Sequence, residues 1–367
     1  MMKISKRIRL AFAVTSLTLL AAAPASAEEG AKAQTARDVL SAAVTDFIQP
    51  GYRTFRDKAQ AMGAAITPLC EAPSAPGLEV ARKAFGELVS AWSEIEIIRF
   101  GPVVDDNRLE RILFFPDRRG IGLKQIQQVL AEKDETATTP ERLAAKSVAL
   151  QGLTTLEYLL YGTGAEDLAG GDEFRCDFAG AVAARIYGTA GELVEAWDDP
   201  DGISSRLSDP EPKNPDFRDE REGLQALLGV FVNSSELVAD TRLKPFLGAT
   251  KDKAKPKRAI FWRSGLTGAS IASDMKGLQD IYKASGIIKL TPEDIQRYGK
   301  SAMFELSNAQ RTIDTMNEPL PQAAANPETR DAVNYVRLVL LSIRDTFSGR
   351  IAGGLGLSAG FSSLDGD

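Results

Sequence analysis

In the run Gly152-Leu153-Thr154-Thr155-Leu156-Glu157-Tyr158-Leu159-Leu160-Tyr161-Gly162 a single carboxylate stands among leucines. An ionised Glu in such surroundings is costly unless a cation or hydrogen-bond donors compensate it. Two readings follow. Glu157 pairs with an arginine such as Arg99 or Arg263 and pins distant parts of the chain together, or it is a ligand-binding or metal-binding carboxylate. Thr154, three residues earlier, shares its helix face and adds a hydroxyl. Two irregular loops carry the other candidates. One runs from Arg99-Phe100-Gly101-Pro102 to Phe115-Pro116-Asp117-Arg118-Arg119, and the other is Phe261-Trp262-Arg263-Ser264-Gly265. The candidate binding set is therefore Arg99, Asp117, Arg118, Thr154, Glu157, Arg263 and Ser264. The chain contains no His, which removes His-based catalytic triads and His zinc sites together. The remaining oxygen donors, with Glu157 and Asp117 as two ligands, suit a hard metal ion such as iron, calcium or manganese better than catalytic zinc.

The elements that must position these residues are helices. Leu78, Ala81, Phe85, Leu88, Trp92 and Ile95 step by three and four, and so do Val182, Ile186, Ala190, Leu193 and Trp197. Leu224, Leu228, Phe231, Leu237 and Val238 form a third stripe, and Val333, Leu338, Leu341 and Arg344–Phe347 a fourth. No run alternates with the period of two that a half-buried strand requires. Thr139-Pro140-Glu141 and Thr291-Pro292-Glu293 each predict a helix start, with a capping hydroxyl, a proline in the first turn and an acid after it. Residues 198–215 hold Pro200, Pro210, Pro212 and Pro215 with Gly202 and read as an exposed connector. Phe100 and Phe246, and Phe115 and Phe261, share an offset of 146, and the two Thr-Pro-Glu starts an offset of 152. Such matched spacing predicts an internal duplication, with two helical bundles at 28–199 and 217–367 joined by a linker at 200–216.

Residues 1–27 read as a cleaved signal peptide. Lys3, Lys6, Arg7 and Arg9 precede an uncharged apolar run of 14 residues, Leu10 to Ala23, and Ala25-Ser26-Ala27 forms a cleavage site. The run is too short for a permanent anchor, which takes about 20 residues. No Cys follows it for lipidation, and no later stretch predicts a transmembrane segment. Removing the leader's four basic residues takes the net charge from −6 to −10. That excludes nucleic acid as an expected partner and leaves metal ions and small ligands. Cys70 and Cys176 are the only two cysteines. In an exported chain they predict one disulfide, the other reading being two buried free thiols. Asp365-Gly366-Asp367 resembles a fragment of a calcium loop but lacks the later ligands. The basic cluster Lys251, Lys253, Lys255, Lys257 and Arg258 reads as a solvated loop.

The motifs Phe100-Gly101-Pro102, Phe115-Pro116-Asp117-Arg118, Gln151-Gly152 to Gly162, Cys176, Arg263-Ser264-Gly265 and the terminal Leu355-Gly356-Leu357 to Asp367 resemble, in order and spacing, the imelysin family of peptidase-like and iron-regulated periplasmic proteins. The resemblance implies an all-α fold of two related four-helix bundles with a site at their interface. Its hallmark is Gly-x-His-x-x-Glu. Gly152 and Glu157 match, but Thr154 stands in the His position, as in a His-lacking, lipoprotein-like branch of the family. The function expected is a non-enzymatic periplasmic binding or accessory protein linked to iron or other metal acquisition, with envelope proteins as partners. The alternative is a metallopeptidase with an altered metal site.

Overall fold

The computed structural model describes residues 34–357, and the expected signal peptide and the Asp365-Gly366-Asp367 motif lie outside them. Within them the chain is helical, with no strand. The helices are, in order, α1 (Ala36–Ala43), α2 (Gln49–Glu71), α3 (Ala75–Ile95), α4 (Arg108–Ile112), α5 (Ile121–Glu132), α6 (Pro140–Ala144), α7 (Leu153–Tyr161) and α8 (Glu173–Asp198). They continue with α9 (Ile203–Ser208), α10 (Glu220–Glu236), α11 (Lys244–Leu247), α12 (Thr267–Ser285), α13 (Glu293–Asp314), α14 (Leu320–Ala323), α15 (Arg330–Asp345) and α16 (Ala352–Gly354).

Three of the long helices, α3, α8 and α10, begin where side-chain oxygens take up the first free amides. Ser74 accepts from Gly77 N at 3.2 Å, Asp172 from Arg175 N at 3.2 Å, and Asp219 from Glu222 N at 2.9 Å. The two Thr-Pro-Glu starts behave differently. Thr139 does precede a helix, but α6 is only five residues long and makes no side-chain cap. The Thr291 hydroxyl donates backwards to Ile288 O at 2.7 Å, and α13 starts at Glu293 without it.

The stripes on α3, α8 and α10 are buried along their length. On α15 the face is rotated: Leu338 is 61 % exposed, whereas Val333, Val336, Val339, Leu340 and Ile343 are buried. The apolar series there runs from Val333 through Val336, which the wider stripe passed over. Helix α2 packs along α3 and α8, and α7 lies against both of those. Helices α10 and α13 pack on α15, α12 packs on α13, and α12 also runs along α3. That last contact is close because Gly277 has no side chain. A Cβ there would sit 2.2 Å from the Glu94 carbonyl oxygen, nearer than van der Waals contact allows. The segment expected as an exposed connector contains α9, whose Ile203 and Leu207 are buried. Cys70 on α2 and Cys176 on α8 form a disulfide, with Cα atoms 5.6 Å apart and a sequence separation of 106. On the chain-entropy account a loop of that length stabilises the fold by about 4–5 kcal/mol. Among the described residues no helix is long and apolar enough to cross a membrane.

Candidate functional site

Helix α7, which carries Glu157, is pinned at both ends. At its start, a Cβ on Gly152 would lie 2.3 Å from the Ile112 carbonyl oxygen and 2.5 Å from that of Arg111. Only glycine lets α7 and the end of α4 come this close, and the contact lays the loop after α4 beside α7. At its far end, Arg175 donates through Nη1 to Leu159 O at 3.1 Å and through Nη2 to Thr163 O at 2.8 Å. Arg82 Nε donates to Leu160 O at 3.0 Å. Cationic donors satisfy carbonyls that have no partner within the helix.

Glu157 is 3 % exposed. Its Oε1 accepts from Arg263 N at 3.0 Å and Ser264 N at 2.9 Å, and the Ser264 hydroxyl lies 2.9 Å away. The loop that presents these donors is held in a costly conformation. Phe261, buried at 2 %, has a φ of 49°, a left-handed value that bulky residues rarely adopt. Its carbonyl accepts from Leu266 N at 3.1 Å, and its ring packs edge-on against Phe85 at 6.0 Å. Strained backbone held by surrounding contacts is characteristic of binding and catalytic loops. Burial pushes the Glu157 carboxyl above its ordinary value, and the Ser264 donors and the Arg263 charge offset part of that rise. Among the described residues no hydrogen bond reaches Oε2.

Glu157 forms part of the wall of a cavity of about 850 Å³, within the range of about 300–1,000 Å³ typical of small-molecule sites. Its walls come from residues 114–126, 154–158 and 240–263. Phe114, Phe115, Tyr158, Phe261 and Trp262 give it an aromatic lining. The Arg263 guanidinium lies over the Trp262 ring at 4.5 Å and the Tyr158 ring at 5.2 Å.

Of the candidates read from the sequence, Asp117, Arg118, Thr154, Glu157 and Arg263 all line this cavity, and Ser264 holds Glu157 from behind. Three roles differ from expectation. Arg263 meets Glu157 through its backbone amide and the field of its charge rather than in a direct ion pair, its guanidinium being stacked on the aromatic rings. Asp117 accepts from Ile121 N at 2.8 Å through Oδ1 and from Leu123 N at 3.3 Å through Oδ2, so both oxygens cap α5. Arg99 does not reach Glu157. It borders a separate cavity of about 130 Å³ with Trp92, Glu110 and Arg242, divided from the first by Phe114, Phe115 and Pro116.

The expected metal pair, Glu157 and Asp117, is not joined by a third carboxylate, His or Cys among the described residues. Asp117 is committed to a helix end. A hard cation needs several anionic oxygens. The cavity instead carries Arg118, Lys244, Lys257, Arg258 and Arg263 against Asp117, Asp240 and Glu157. Lys257 and Arg258 belong to the basic cluster expected only as a solvated loop. The Lys257 ammonium lies 5.5 Å from the Trp262 ring centroid.

A second buried polar group went unnoticed in the sequence. Arg242 Nη2 donates to both oxygens of Glu96, at 2.8 and 2.7 Å, with the two side chains 2 % and 1 % exposed. Asp274 is 1 % exposed, and neither of its oxygens has a conventional donor. Burial above all, and then the Glu96 carboxylate, hold the Asp274 carboxyl well above the usual carboxylate range, where it can donate its proton to Glu96. The signal was the one that exposed Glu157. Glu96 follows Trp92 by four and Asp274 follows Ile271 by three, so each falls on an apolar helix face.

The fold has close solved counterparts. An imelysin-like protein from Psychrobacter arcticum 273-4 superposes with a TM-score of 0.74 at 18 % identity, covering 89 % of this chain and 98 % of that one. A chain named as an iron-regulated protein A precursor, from Parabacteroides distasonis ATCC 8503, superposes with a TM-score of 0.72 at 12 % identity, covering 89 % and 97 %. At such identities the likeness concerns the fold. No curated protein matches the sequence. The imelysin family model matches residues 48–342, a span that takes in α7, the strained loop and the cavity between them, and this chain belongs to the imelysin family.

Proposed function

We propose that this chain is an exported, periplasmic binding or accessory protein that holds a small molecule in the Glu157 cavity and serves the acquisition of iron or another metal. The observation that carries the reading is the state of Glu157. One oxygen is saturated by a strained loop from 106 residues away, while the other has no partner among the described residues and the side chain borders a ligand-sized cavity. A buried acceptor left unpaired at such a wall is suited to a ligand donor, and the Thr154 hydroxyl one turn earlier adds a second polar contact. On the division of the chain at 200–216 the ligand would lie between the two halves, since residues 114–158 and 240–263 both line the cavity. The iron link is supported by the name of the Parabacteroides neighbour. Binding is favoured over metallopeptidase chemistry by the donor set, which lacks three convergent metal ligands and any imidazole.

The test is extraction of protein purified from its native periplasm. Wild type is expected to release one stoichiometric small molecule, detected by mass spectrometry, that Glu157→Gln does not carry. Identical extracts from the two would overturn the binding site. Cleavage of casein by the pure protein, stopped by a chelator and lost in Glu157→Gln, would instead establish the peptidase.

A further inference from the structure

We infer that the ligand is an organic anion with a flat apolar frame, an inference that rests on the reading of the cavity as a ligand site. In a chain of net charge −6, this cavity carries five cationic side chains and three acidic ones. Of the acids, only Asp240 forms an ion pair with one of these cations, Lys244. Asp117 has both oxygens on the backbone of α5. Asp240 is bound to Arg337 at 2.6 Å and lies 3.6 Å from Lys244. Glu157 is buried and engaged with backbone amides. Among the described residues Arg118, Lys257, Arg258 and Arg263 enter no ion pair, although twenty such contacts occur elsewhere. Lys257 and Arg263 lie instead over the face of Trp262.

Cations that an acidic protein leaves unpaired around a concavity focus a positive potential there and raise the local concentration of anions. Stacking on aromatic rings keeps the charge while leaving the guanidinium edge free to bind, and a planar guanidinium matches the two oxygens of a carboxylate or similar oxyanion. The five aromatic side chains of the wall select a flat apolar frame beside that anion. Glu157 Oε2 then accepts a hydrogen bond from a hydroxyl or amine on the same molecule.

Two fluorescent probes with the same aromatic frame test this: 8-anilinonaphthalene-1-sulfonate, an anion, and N-phenyl-1-naphthylamine, which is neutral. The anion is expected to bind more tightly to the full mature protein, and its affinity to fall with rising salt. The double substitution Arg118→Gln with Arg258→Gln, at two exposed positions, should weaken the anion about tenfold and leave the neutral probe within about twofold. Melting curves of the double variant establish that it is folded. Equal binding of both probes, or anion binding insensitive to the substitutions, overturns the anion and leaves the ligand site. Failure of both probes to bind overturns the site itself.

Discussion

Glu157 and Glu96 are both carboxylates placed on apolar helix faces, and both are buried, yet their neighbours give them opposite roles. Glu96 is closed on itself. Both its oxygens face one guanidinium, and burial and the Glu96 charge hold the Asp274 carboxyl beside it well above the usual carboxylate range. The cluster lies where α3, α12 and the π-helical segment Leu237–Leu243 that carries Arg242 meet. Nearby, the Ser93 and Ser270 hydroxyls are 2.8 Å apart and Ser234 Oγ donates to Ile97 O at 3.1 Å. This is a polar seam that sets how the elements dock. Glu157 receives hydrogen bonds on one oxygen only, from two backbone amides and the Ser264 hydroxyl, and the Arg263 guanidinium is turned onto aromatic rings. The contrast separates a carboxylate used for docking from one kept ready for a ligand. The decisive features are the kind of donor and the number of oxygens it leaves free, since burial is the same in both. One structural link joins the two regions: the Arg242 guanidinium lies 5.1 Å from the ring of Phe115, which is also a wall of the large cavity.

The largest effect that would test this contrast lies in the seam. Glu96→Gln leaves the Arg242 guanidinium buried without its charge partner and should destabilise the protein by about 3–5 kcal/mol in urea unfolding. Replacing both partners, Glu96→Leu with Arg242→Met, should recover much of that loss, because no lone charge then remains. A small loss in Glu96→Gln would mean that the seam is not a docking charge pair.

Asp274 provides the next test, through pH. Its carboxyl is raised in the folded protein, so between about pH 4, where an unfolded carboxylate titrates, and its folded value the native state binds more protons. Its contribution to stability is therefore present below the unfolded value and lost as pH rises through the folded one. Asp274→Asn, which can still donate to Glu96, should remove that decline, worth up to about 1.4 kcal/mol per pH unit. Unfolding free energies measured across that range in wild type and variant make the check; parallel curves would show that Asp274 does not hold its proton.

The smallest expected effect on stability is at Glu157. A glutamine carbonyl can still accept from the Arg263 and Ser264 amides, and Arg263 does not depend on Glu157 for its own contacts. Glu157→Gln should therefore cost about 1 kcal/mol or less, while removing the charge that a ligand donor meets. A melt as depressed as that of Glu96→Gln would make Glu157 a second docking residue and dissolve the distinction between the two.

The sequence by itself determined the helical class, the buried faces of α3, α8 and α10, the pair of cysteines that close α2 onto α8, and the isolation of Glu157. All of these follow from local periodicity or from residue counts. Glu96 and Asp274 were equally legible by that criterion. What only the tertiary structure decided is which groups meet. Two of the three donors to Glu157 are backbone amides, which every residue but proline has, so residue type alone does not mark the partner. Arg99, one of the two arginines that sequence order offered as a partner for Glu157, borders a separate cavity because Phe114, Phe115 and Pro116, in the loop after α4, divide it from the first. The basic cluster before Phe261 has the composition of any solvated loop. Two of its five cations become cavity walls only because the chain turns at Phe261 and lays Trp262 beneath Lys257. Pairing across 106 residues depends on how whole helices dock, and neither spacing nor composition records that.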